Sequence, residues 1–206
     1  MTTVVRPAGA VGYREAAQEL AEQYEAVSFE QVHGEVLHLL PGTPSRVLDV
    51  GAGTGRDAAA LAARGHRVVA VEPTLELRVH RNGGFRWLSD ALPELPSVAG
   101  EFDLVLVTAV WMHLELGERE AAMRRLAGLL ASGGRMLLML RHGPVPVGRR
   151  MFEVSADETV ALARQFGLAE VFRSVRPDGY RRSGVTWTHL ALEVDPWRSP
   201  ELRFRG

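Results

Sequence analysis

Val47-Leu-Asp-Val-Gly-Ala-Gly-Thr-Gly-Arg-Asp57 decides how the rest of the chain is read. A short strand-like run, Arg46 to Val50, passes into glycines at alternating positions, Gly51, Gly53 and Gly55; Arg56 to Arg64 then continues as an Ala-rich helix with Gly65 at its C-terminal end. Glycine reaches the positive φ values that a tight strand-to-helix turn demands, and it lets a ligand come close to the backbone. The helix start offers unpaired N–H groups and a partial positive charge, which suit a carboxylate or a phosphate. Glycines alone leave the ligand open, because Gly53-Thr-Gly55-Arg-Asp-Ala58 also fits the dinucleotide pattern G-x-G-x-x-A.

Working outward, short apolar strands alternate with helices. His66 to Val71 is a second strand, ended by Glu72-Pro73; Gly84 to Leu88 is a third, followed by Asp90; Phe102 to Val107 is a fourth. Leu75 to Arg81 and Leu116 to Leu130 read as helices, and a Ser132-Gly133-Gly134 turn leads to a fifth strand, Arg135 to Leu140. This alternation predicts an α/β fold with a parallel sheet covered on both faces. Upstream, helical spacing predicts one helix through Tyr13, Ala17, Leu20, Tyr24 and Val27, and another from Phe29 to Leu40 that stops at Pro41-Gly42. Downstream, Ser155 and Glu158 form a capping-box pattern opening a helix to Gly167. Leu168 to Val175 and Val185 to Val194, joined through Pro177-Asp178-Gly179, predict an antiparallel pair. With no internal repeat or linker in view, one domain is expected, residues 1–42 a helical cap and 43–206 the core.

The acids fall at one edge of that sheet. Glu72 stands 21 positions after Gly51, where an acid can accept both hydroxyls of a ribose. Asp49 precedes the glycines and Asp90 closes the third strand, so all share the carboxyl edge where open α/β sheets bind ligands.

Composition narrows the chemistry. The chain has 206 residues, 46% hydrophobic and 24% charged, with a net charge of -1, which disfavours wholesale disorder and gives no basic signal for nucleic acid. It has no Cys and no Lys, which removes disulfides, thiolate metal sites, cysteine nucleophiles, Schiff bases and the P-loop lysine. No metal-ligand spacing is evident among the seven His. The start lacks the apolar segment of a signal peptide and the longest apolar run is too short to span a membrane, so a cytoplasmic location is expected.

On Asp49-Val-Gly-Ala-Gly-Thr-Gly55, Val71-Glu72-Pro73, Ser89-Asp90-Ala91, Phe102 to Ala109, Leu129 to Leu138 and the closing strand pair, the sequence resembles the class I S-adenosylmethionine-dependent methyltransferases. The resemblance runs from about residue 13 to 194. It implies a Rossmann-like seven-stranded sheet, mostly parallel with an antiparallel last strand. It also implies S-adenosyl-L-methionine as cofactor, with Gly51, Ala52, Gly53 and Gly55 under its methionine and ribose portions and Glu72 on the ribose hydroxyls. Pro73 falls beside that acid, Asp90 and Ala91 flank the adenine, and Thr108 and Ala109 line the methionine side. The N-terminal helices would lid the cofactor.

Methyl transfer asks the protein mainly to align a nucleophile, and to remove a proton where the nucleophile is a hydroxyl or a protonated amine. His113 stands where a base is wanted, although it would equally serve to fix the loop by hydrogen bonding; Trp111 beside it is expected to wall the pocket. Arg141, His142, Arg149 and Arg150, clustered after the fifth strand, suit a carboxylate or phosphate, or else form a solvated loop. Tyr13 suits ligand contact or plain packing. The expected activity is methylation of an O, N or S atom of a small molecule, an anionic one included; its oligomeric state cannot be read from these residues. The alternatives are a catalytically silent cofactor-binding protein and, less favoured, an NAD(P)-dependent oxidoreductase. No acidic pair follows the fourth strand for a magnesium-dependent catechol-type mechanism, and no Asn-Pro-Pro-Tyr/Phe motif stands there for adenine or glutamine methylation.

Overall fold

Four of the five residues of β1 (Arg46–Val50) are buried, as a strand covered on both faces requires. The computed structural model describes residues 12–80 and 83–194. Six further strands join β1 in one sheet: β2 (Arg67–Val71), β3 (Arg86–Leu88), β4 (Phe102–Thr108), β5 (Leu130–His142), β6 (Leu168–Pro177) and β7 (Thr186–Val194). Their order is β3-β2-β1-β4-β5-β7-β6. The first five pair in parallel, and β7 lies antiparallel to both β5 and β6. The order reverses between β1 and β4, and a crevice opens beyond the carboxyl ends of strands at such a switch point.

Side chains alternate across the sheet with period two. Leu48, Val50, Val105 and Val107 share one core with Met123 and Leu126 of α4 (Leu116–Leu129) and Val160 of α5 (Ala156–Gln165). Val47, Leu104 and Leu106 face the other way, toward Ala58 and Leu61 of α3 (Arg56–Ala63). Ahead of β1, α1 (Ala17–Glu25) and α2 (Phe29–His33) precede the core.

Several boundaries differ from the sequence expectation. Tyr13 lies in a turn before α1, and the expected helix over 29–40 relaxes at Gly34 into a 3-10 turn, Gly34–Leu39. Gly34 keeps helical angles, and the departure falls one residue earlier, at His33 (φ -107°, ψ 10°), whose ring is held by Asp57 at 2.7 Å. The expected helix over 75–81 is only a 3-10 turn, Leu75–Leu77, because the Val79 and His80 amides donate instead to the Thr54 carbonyl at 3.1 and 3.0 Å; residue 81 lies outside the described residues. Ser132-Gly133-Gly134 sits inside β5 as a bulged insertion, where the pairing jumps from Phe102–Leu130 to Leu104–Arg135. Ser155 Oγ accepts the Glu158 amide at 3.0 Å, but the Glu158 carboxylate goes to Arg119 Nη1 at 2.7 Å, so half of the expected capping box forms. Among the described residues no helix is long and apolar enough to cross a membrane.

Candidate functional site

The three loop glycines adopt φ values of 71°, 55° and 86°, the left-handed region that glycine reaches without strain. This geometry turns the Gly51 and Ala52 amides back onto the Val71 carbonyl, at 2.8 and 2.9 Å. A Cβ on Gly51 would stand 2.3 Å from Val110 Cγ2, so nothing larger fits there without displacement. Glu72 completes the tie between β1 and β2: its Oε2 accepts the Gly53 amide at 3.0 Å and its Oε1 the Thr74 amide at 2.7 Å. Each carboxylate oxygen has a further lone pair for a hydroxyl donor. Burial holds the Glu72 pKa above the ordinary carboxylate value, with the Thr74 and Gly53 amides offsetting part of that shift.

A cleft of about 670 Å³ opens over this edge. One half is walled by Asp49, residues 51–54, Glu72, Pro73, Asp90, Ala91, Thr108 and Ala109. Asp49 is 1% exposed, and its Oδ2 has no hydrogen-bond partner. Burial, followed by repulsion from Asp57, raises its pKa well above the usual range. Asp57 escapes that fate: burial opposes its ionisation, but His33 Nε2 at 2.7 Å and the Arg56 guanidinium pull its pKa far down. An unpartnered buried carboxylate lining a cleft favours a cation there. Asp90 spends both oxygens on its own loop, accepting Ala91 N at 2.8 Å and Ser97 N at 2.6 Å. Ala109 is held at φ +58° while its amide donates to the Met139 carbonyl, a strained conformation of the kind that collects at binding sites.

The other half of the cleft is built around Tyr13 and His113, whose hydroxyl and Nε2 are 2.9 Å apart. His113 Nδ1 lies 2.8 Å from the Arg150 carbonyl, which only accepts; Nδ1 therefore carries the hydrogen and Nε2 accepts from the tyrosine. Arg149 stacks over the Tyr13 ring with 4.0 Å to the centroid. Arg141 and Arg149 both line the cleft, and Arg141 Nε and Arg149 Nη1 are buried without a partner.

Four residues expected at the site stand elsewhere. Trp111, expected as a pocket wall, is 1% exposed within the core under α4, its size better used in packing. His142, one residue past Arg141 on β5, turns to the opposite side, and its Nε2 meets Thr188 Oγ1 at 2.8 Å. Arg150 pairs with Glu115 and covers the Phe152 ring. Gly55 lies behind the loop as the residue before α3, where a Cβ would meet the Trp87 ring at 2.7 Å. Asp178 carries no local signal of a site, yet it lines the cleft from the β6–β7 turn and accepts from Arg182 Nη2 at 2.7 Å and Trp187 Nε1 at 2.8 Å. Its Pro-Asp-Gly setting reads as an ordinary turn, and only the fold carries it to the cleft.

Residues 48–138 match the methyltransferase domain family. Uncharacterized methyltransferases of Mycobacterium tuberculosis and Mycobacterium bovis are 31% identical over 163 residues, covering 73% of this chain and 61% of theirs, so the chain spans about three fifths of the length of these relatives. Among solved structures, the 1,6-didemethyltoxoflavin-N1-methyltransferase of Burkholderia thailandensis, with bound 1,6-didemethyltoxoflavin and S-adenosylhomocysteine, superposes with a TM-score of 0.71 at 22% identity, over 88% of this chain and 84% of that one. A possible histamine N-methyltransferase of Thermotoga maritima gives 0.66 at 19% identity, over 89% and 98%. At these identities the likeness concerns the fold.

Proposed function

This chain belongs to the methyltransferase domain family and has the class I fold, and on that premise we propose that it moves a methyl group from S-adenosylmethionine to an O, N or S atom of a small molecule. The observation that carries this reading is the acidic half of the cleft: Glu72 tied to the glycine loop and Asp49 buried with a free oxygen. The donor set fits the cofactor. Glu72 would accept two ribose hydroxyls, Asp49 would face the cationic amino-acid tail, and Asp90, Ala91, Thr108 and Ala109 would border it. Bound there, the cofactor supplies an electrophilic methyl carbon whose bond to sulfur breaks, the electron pair staying on sulfur, as the acceptor's lone pair forms the new bond.

The chain's own residues position the acceptor and move its proton. A hydroxyl or amine of the acceptor donates to the Tyr13 oxygen while the Tyr13 hydroxyl donates to His113 Nε2, so a proton entering at Tyr13 leaves at His113. Burial keeps the Tyr13 pKa raised, which makes it a bridge and not a standing base. The N-terminal helices close over the cofactor, with Tyr24 against Gly53. Incubation with S-adenosylmethionine and a panel of small acceptors tests the proposal: release of S-adenosylhomocysteine together with a methylated acceptor is expected, and no binding of either cofactor form at millimolar concentration would reject it.

A further inference from the structure

Arg119 shows how this protein treats a structural buried guanidinium. It is 3% exposed, and all three of its nitrogens are used: Nε to the Leu114 carbonyl at 3.1 Å, Nη1 to Glu158 at 2.7 Å and Nη2 to the Glu153 carbonyl at 2.7 Å. Arg141 is nearly as buried, at 8% exposed, yet among the described residues the one hydrogen bond of its guanidinium is a long 3.4 Å contact to the Gly143 carbonyl. Its Nε is buried with no partner, as is Nη1 of Arg149. Leaving guanidinium N–H groups dry and unpaired is costly, and nothing in the packing asks for it.

Both cations act on one place. Arg141 and Arg149 each bear electrostatically on Tyr13 and on His113, so they flank the proton-accepting pair. Arg182 adds a third guanidinium, and Asp178, already bound to Arg182 and Trp187, is the one acid among the described residues that faces Arg141. The cleft is therefore polarised, acidic where Asp49 and Glu72 stand and basic around Tyr13.

We propose that this basic half is a carboxylate subsite, in which Arg141 and Arg149 hold the carboxylate of a small hydroxy- or amino-acid acceptor and so bring its nucleophilic atom to the Tyr13 hydroxyl. The proposal rests on the methyl-transfer reading of the cleft and adds the acceptor class. The Nε edge of a guanidinium presents two parallel N–H donors to a planar carboxylate, and the second cation neutralises what remains of the charge.

The test uses the full chain. S-adenosylhomocysteine is titrated first; failure at this step sinks the methyl-transfer reading itself. Benzoate and 2-hydroxybenzoate, their amides, and inorganic phosphate are then titrated into the S-adenosylhomocysteine complex, and the melting temperature is followed. The carboxylates are expected to raise it, the amides to leave it unchanged, and the carboxylate response to fall at least tenfold in apparent affinity in Arg141→Gln and Arg149→Gln. Cofactor binding with no carboxylate response, equal responses to acid and amide, an unchanged response in the variants, or a stronger response to phosphate would each overturn the inference. Ligand-free stability supplies a second readout: Arg119→Gln should lower the melting temperature, whereas Arg141→Gln should hold or raise it. A large loss in Arg141→Gln would mark Arg141 as a structural residue instead.

Discussion

His113 is held in one protonation state by contacts of opposite sense, donating through Nδ1 to the Arg150 carbonyl and accepting at Nε2 from Tyr13. Burial lowers its pKa, the Arg150 carbonyl opposes that shift in part, and the charges of Arg149 and Arg141 reinforce it, so the ring is neutral and able to accept near pH 7. The acid limb of kcat/KM should accordingly lie below the ordinary histidine value of about 6.5. Tyr13→Phe and His113→Gln should each lower kcat by roughly 10²–10⁴-fold, the usual worth of general-base help, with S-adenosylhomocysteine affinity unchanged by calorimetry. The same shift has a consequence for stability. A folded-state histidine pKa below the unfolded one means that the unfolded chain binds the proton more readily, so stability falls as pH drops through about 6.5 and the loss is complete below the folded pKa. Thermal melts of His113→Gln should lack that component. Asp49 contributes in a different manner: its buried oxygen, without a hydrogen-bond partner, costs folding energy.

The glycine loop and the β6–β7 turn do their work as elements. Replacing Gly51 by Ala sets a side chain at φ +71° and 2.3 Å from Val110 Cγ2. A loss of about 1–3 kcal/mol in urea unfolding is expected, together with weaker cofactor binding. At the far turn, burial opposes ionisation of Asp178, but hydrogen bonds from Arg182 and Trp187 overcome it and hold its pKa well below the ordinary range. That stabilisation is present above the unfolded carboxylate pKa of about 3.9 and is lost as pH falls through the folded value. Asp178→Asn should cost about 2 kcal/mol at pH 7, and the gap to wild type should close under acid conditions in pH-dependent melts. Elements of this kind differ in how far their sequence announces them. The strands were legible because a sheet buried on both faces needs unbroken apolar runs, as in Val47 to Val50 or Leu104 to Val107. The 3-10 turns at residues 34–39 and 75–77 were not, since they arise where His33, held by Asp57, leaves helical angles and where Thr54 captures the Val79 and His80 amides.

Across the whole molecule, the reversal of strand order between β1 and β4 gathers the loop, Glu72, Asp90 and Ala109 at one crevice, and the segment before β1 closes it with Tyr13 and Tyr24. The acids of this assembly were readable because each ends a strand at the carboxyl edge. The basic half was readable only as a cluster: Arg141 and Arg149 reach the cleft, whereas neighbouring His142 and Arg150 turn away, a choice made by strand alternation and by Glu115. Polarity along the crevice, acidic at Asp49 and Glu72 and basic around Tyr13, is a property of the folded chain that no local motif spells out. Its acidic half has one direct test, calorimetric titration of S-adenosylhomocysteine into the wild type and into Glu72→Gln. The wild type should bind, and the variant should lose roughly tenfold or more in affinity, in keeping with hydrogen bonds to a charged group. Equal affinity in the two proteins, or a wild type that binds NADH in place of S-adenosylhomocysteine, would contradict the account.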